Sequence, residues 1–124
     1  MACFEHLLKS YDVGDQLDDI ASAVPPAYLR RCFAEGVSAP TLSWARVQQL
    51  ALCSMVLDAV LHDRQYDCLE PELIADWRAQ YAPAFARSKD TALQALRRAL
   101  ELDRPQDPDA AAELEEVTRR LASV

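Results

Sequence analysis

The alternation of apolar and polar positions organises the chain around one stretch, residues 41–63 (TLSWARVQQLALCSMVLDAVLHD), which contains neither proline nor glycine. At the helical advance of about 100° per residue, Leu50, Leu52, Cys53, Val56, Leu57, Ala59, Val60 and Leu61 cover well over half the circumference. Gln48, Ser54, Asp58 and His62 are left as a narrow polar seam. A helix apolar over that much of its surface is normally surrounded by other helices. The expected fold is all-α, a compact single-domain bundle over residues 1–124 with about five to seven helices around this rod. Thr41 is the expected N-cap and Trp44 an early anchor.

The flanking segments carry weaker periodicities. Residues 3–11, CFEHLLKSY, read as a short first helix with Phe4, Leu7, Leu8 and Tyr11 on one face, broken by Gly14. Asp15 then offers a cap for a second short helix bearing Leu17, Ile20, Ala21 and Val24 at helical spacing. Pro25 and Pro26 end it and begin a third helix over residues 27–35, which buries Tyr28, Leu29, Cys32 and Phe33, with Gly36 as a left-handed stop. Pro71 opens a fifth helix with Leu73, Ile74, Trp77 and Tyr81, and Pro83 must end or kink it. Leu93, Leu96, Ala99 and Leu100 form the face of the next. The last helix starts at Asp107, Pro108 and Asp109, where a cap, a first-turn proline and a dipole-favoured carboxylate coincide. Leu114, Val117 and Leu121 draw a thin apolar line along it. If that line stays exposed, self-association is the simplest way to cover it, and a homodimer is expected on that condition.

Composition narrows the functional classes. A chain of 124 residues can bury a core without disulfide or metal staples, and its two glycines and many Ala, Leu, Glu and Arg favour helix. A net charge of −7 argues against direct binding to nucleic acid or anionic lipid, whose affinity comes mainly from Lys and Arg on phosphate. It is compatible with a basic partner, although acidity for solubility alone is the commoner explanation. The N-terminus MACFEHLLKS has no basic leader and long apolar run. Arg46, Asp58 and His62 within the central helix argue against a membrane span, and a cytoplasmic location is expected. Cys3, Cys32, Cys53 and Cys68 sit in apolar company and read as buried thiols.

No catalytic constellation survives scrutiny. Ser54, Asp58 and His62 share a helix face, but a catalytic histidine must stand between nucleophile and acid, and here the aspartate is in the middle. Asp58 and His62 read instead as an i,i+4 pair on the solvent seam. Cys3-x-x-His6, with His62 and Cys68, could hold a metal only if the first helix docks on the end of the central one; neither spacing is a family signature, and no metal site is assigned. There is no Glu-x-x-His pair for a di-iron centre and no phosphate-cradling glycine loop, so no cofactor is expected.

The best candidate contact surface is the series Trp77, Tyr81 and Phe85 with Arg78 beside it and Tyr66 upstream, since aromatics and arginine most often carry interface energy. Core packing is the commoner origin of such a stripe. Residues 92–103, ALQALRRALELD, place Ala92, Leu96 and Ala99 at a spacing that resembles the second helix of a tetratricopeptide repeat. The resemblance covers about a dozen residues and implies helical-hairpin packing and peptide binding. Pro105 falls one position late for it, the preceding helix lacks W-x-x-L-G-x-x-Y, and Pro83 stands where an aromatic belongs.

The expected function is noncatalytic: a regulator, inhibitor or adaptor that occupies a surface of another protein. Bacterial immunity proteins, anti-activators and phage-encoded inhibitors all fit that description. The alternatives are a small metal- or ligand-binding helical protein using Cys3, His6, His62 and Cys68, and an acidic decoy of nucleic acid.

Overall fold

A computed structural model describes residues 4–102 and 104–123. Among them are six α-helices and no strand: α1 (Val13–Ser22), α2 (Pro25–Ser38), α3 (Trp44–His62), α4 (Pro71–Ala86), α5 (Lys89–Leu102) and α6 (Pro108–Ala122). The central helix α3 packs against α2, α4, α5 and α6. Its run from Leu50 to Val60 is buried without a break. A helix apolar over well over half its circumference belongs in the middle of a bundle.

Local chemistry sets most of the boundaries. Ser43, not Thr41, caps α3, its side chain accepting from the Arg46 amide, and Asp63 ends the helix in a left-handed conformation at φ 55°. Asp107 caps α6 as expected, accepting from the Asp109 amide at 2.9 Å. Asp12 rather than Asp15 caps α1, accepting from the Asp15 amide, so Gly14 lies inside the first turn instead of breaking a helix. Residues 5–10 form turns and not a first helix. Phe4 and Ser10 both carry positive φ, which an α-helix does not admit.

Pro83 neither ends nor separates α4; the helix runs through it. Proline there deprives the Ala79 carbonyl, four residues back, of its usual donor. Both residues are exposed, so water can serve that carbonyl.

Gly36 is not a helix stop either. It lies within α2 at a close crossing, where an added Cβ would meet Leu50 Cδ2 at 2.8 Å and Ala95 Cβ at 3.2 Å. Its carbonyl accepts from Arg98 at 2.8 Å. The absence of a side chain is what lets α2, α3 and α5 meet there.

The condition for a homodimer fails: Leu114, Val117 and Leu121 are fully buried against the core. The hairpin implied by the repeat-like residues 92–102 is not formed, because α5 packs chiefly on α2 and does not lie along α4. No helix among the described residues is long and apolar enough to cross a membrane.

Candidate functional site

The polar seam of α3 is interior, contrary to the expected solvent face: Gln48, Ser54 and Asp58 are all buried. Two irregular segments cover it. Gln48 Nε2 donates to the carbonyls of Leu7 and Lys9 at 3.1 and 3.0 Å, which ties the N-terminal turns to the middle of the bundle. The Leu7 amide in turn donates to Glu113 Oε1 at 2.8 Å.

At the other end of α3, three donors converge on Asp58. Tyr66 OH donates to Oδ2 at 2.5 Å; Arg64 Nε and His62 Nδ1 reach Oδ1 at 3.1 and 2.6 Å. With Asp58 as carboxylate, His62 Nδ1 carries the proton, and Nε2 is left facing the Lys89 ammonium at 3.5 Å. Arg64 also donates to Ser123 Oγ and to the Arg120 carbonyl, fastening the end of α6. Arg120 lies over the rings of Phe4 and Tyr66 at 5.2 and 5.5 Å. No fully buried side-chain nitrogen or oxygen among the described residues lacks a partner.

This cluster is a structural latch. Ser54 donates to the Leu50 carbonyl at 2.7 Å within the core, so it offers no nucleophile beside His62.

Burial first, and then the Asp58 carboxylate beside it, push the Tyr66 hydroxyl well above the ordinary tyrosine range; burial does the same for Tyr11. A raised folded-state value means that the native protein holds its proton after the unfolded chain has lost it. This stability is fully present below the unfolded value near pH 10 and declines as pH climbs above it toward the folded value. Urea midpoints measured upward from pH 9 should fall above pH 10, with each tyrosine contributing a slope of up to about 1.4 kcal/mol per pH unit. Tyr66→Phe should remove one such contribution; an unchanged slope would contradict the assignment.

The expected contact surface is mostly interior. Tyr66, Trp77 and Phe85 are buried, and Phe85 packs edge-on against Tyr81 at 6.3 Å. Arg78, half-buried, donates to the carbonyls of Ala59 and Val60 at 2.8–2.9 Å and pairs with Asp63 at 3.0 Å. Of the five, only Arg78 and Tyr81 reach the surface, because the stripe faces α3 and the core.

The metal candidates do not converge. His62 pairs with Asp58 at the end of α3, whereas His6 lies beside Asp107 and Asp109 at the start of α6. Cys68 is disulfide-bonded, so it is not the free thiol expected. Cys32 and Cys53 are free and buried as expected, and Cys3 lies outside the described residues. His6, Asp107 and Asp109 offer ligand atoms all within 4.8 Å of one another, but both carboxylates are more than half exposed and Asp107 already caps α6.

What the sequence reading missed is a groove of about 720 Å³ where the starts of α3 and α6 meet the end of α5. Leu42, Val47 and Ala110 form its buried floor. Trp44 and Leu102, 43% and 56% exposed, are large apolar side chains that line it. Trp44 therefore does not anchor the central helix as expected. It stands in the first turn of α3, ahead of the continuous buried run, and that position was the available signal of exposure.

No family model matches the chain, and neither a curated protein nor a solved structure does.

Proposed function

We propose that the protein is a noncatalytic binding module that regulates a partner protein by occupying its surface, and that the Trp44 groove is the contact site. The observation that carries this reading is the pairing of two exposed large apolar side chains, Trp44 and Leu102, on one concave surface. Tryptophan is among the residues that most often dominate interface energy, and a pocket of several hundred Å³ suits a seated side chain. The Asp58 cluster supports the noncatalytic part, since its donors and acceptors are spent on one another and on the ends of α3 and α6. Arg78 and Tyr81 of the expected surface remain accessible, but Arg78 is committed to the end of α3.

The test places a photo-crosslinking amino acid at position 44, with the same label at the exposed position 72 of α4 as the control. In native lysate, position 44 should trap one protein in stoichiometric amount and position 72 should not. Equal background labelling from both positions would refute the reading.

A further inference from the structure

We infer that Lys89 is a reactive amine, a site of modification by acyl thioesters for which His62 is the proton acceptor. Nothing in this inference draws on the groove. Ser54, Asp58 and His62 fail as a relay because the acid stands in the middle; Asp58, His62 and Lys89 have the order that a relay needs, acid, base and nucleophile. His62 Nδ1 donates to Asp58 Oδ1 at 2.6 Å, and the opposite ring nitrogen, Nε2, meets Lys89 Nζ at 3.5 Å. Asp58 and His62 lie one turn apart at the end of α3, and Lys89 opens α5, so two packed helices hold the three groups together.

The imidazole has one tautomer that suits both neighbours. Asp58 is fully buried, and Tyr66 and Arg64 hold the same carboxylate, so the ring proton stays on Nδ1 and the Nε2 lone pair is left for the amine. Lys89 has no carboxylate within ion-pair distance among the described residues, and it stands in the first turn of α5, where a helix dipole does not favour a cation. Its contact with His62 is long for a hydrogen bond, as such contacts often are before a substrate arrives. Both side chains are partly exposed, which lets a reagent approach.

The chemistry needs one proton carrier. After the ammonium has passed a first proton through His62 to solvent, Lys89 is a neutral amine. Its lone pair forms the Nζ–C bond to the thioester carbonyl, Nε2 takes the second proton, and the C–S bond breaks with its electron pair on sulfur. The imidazolium then protonates the thiolate. The products are an amide at Lys89, a free thiol and one proton released to solvent, and His62 ends as it began. A thioester is the class that fits, because a thiolate leaves without prior protonation and His62 is the one proton carrier in contact with Lys89 among the described residues. Each chain reacts once, so the protein is modified and does not turn over.

The experiment treats the intact chain with the acetyl thioester of a small thiol and follows acetylation of Lys89 and of Lys9, the only other lysine and an exposed one, by mass spectrometry of peptides. In wild type, Lys89 should react about tenfold faster than Lys9 although it is the less exposed. His62→Gln keeps a polar partner for Asp58 but takes up no proton; it should slow Lys89 about a hundredfold and leave Lys9 unchanged, with circular dichroism verifying the fold. The wild-type ratio of the two rates should also fall as acid protonates the imidazole, whereas the ratio in His62→Gln should stay flat. A wild-type Lys89 no faster than Lys9 would overturn the inference without any variant. A folded His62→Gln that acetylates Lys89 at the wild-type rate would overturn it too, and would leave His62 as a strut of the latch. Neither result bears on the crosslink from position 44, which tests the groove separately.

Discussion

Replacing Asp58 by alanine is expected to lower the unfolding free energy by about 3–5 kcal/mol, the range for removing one partner of a buried charge cluster. The carboxylate is fully buried, and its loss strands the Tyr66 hydroxyl and His62 Nδ1, both of which are largely enclosed. Arg64 behaves differently, because its side chain is 36% exposed and can swing to water. The lower half of the range is therefore the better expectation. Tyr66→Phe should cost less, about 1–2 kcal/mol, since the ring keeps its contacts with Phe4 and Arg120. Urea unfolding at neutral pH separates the two variants. A loss below about 1 kcal/mol for Asp58→Ala would mean that water reaches the carboxylate, and the latch would be no latch.

How much of this was legible depends on which level of structure each feature belongs to. The burial of α3 was legible because apolar positions over well over half of a helix's circumference favour one arrangement, the centre of a bundle. The Asp107 cap was legible because capping is local. The Ser43 cap was missed because Thr41, two residues earlier, offers the same hydroxyl chemistry and only the helix path chooses between them. The polar seam was misplaced for a different reason. Spacing shows that Gln48, Ser54, Asp58 and His62 share a face, but it does not show what covers that face. The cover comes from residues 4–10, whose helical spacing folds as turns, and from the irregular residues 63–66, both held by Gln48 and Asp58 themselves. Gly36 was read as a stop because a glycine near a helix end usually is one, and only the neighbouring helix supplies Ala95 against it. The groove was invisible because it joins residues from the N-terminal turns, α3, the end of α5 and the start of α6.

Trp77→Ala and Trp44→Ala should have opposite consequences, and the contrast tests where the interface lies. Trp77 is 4% exposed and tilts against Phe85, whose ring is fully buried, with centroids 6.5 Å apart. Truncating it removes a large apolar body and leaves a cavity walled by the core, at a cost of about 3–5 kcal/mol. Trp44 is 43% exposed in the free chain, so its removal should change stability by no more than about 1 kcal/mol. Binding should follow the reverse order. Folded Trp77→Ala should retain full partner affinity at temperatures well below its lowered midpoint, whereas Trp44→Ala should lose about 2 kcal/mol or more of binding energy. Affinity and unfolding midpoints measured on both variants decide the matter. Weak binding by a demonstrably folded Trp77→Ala, beside an unaffected Trp44→Ala, would move the contact surface from the α3–α6 groove to α4. It would also restore the aromatic stripe of Trp77, Tyr81 and Phe85 as the recognition element.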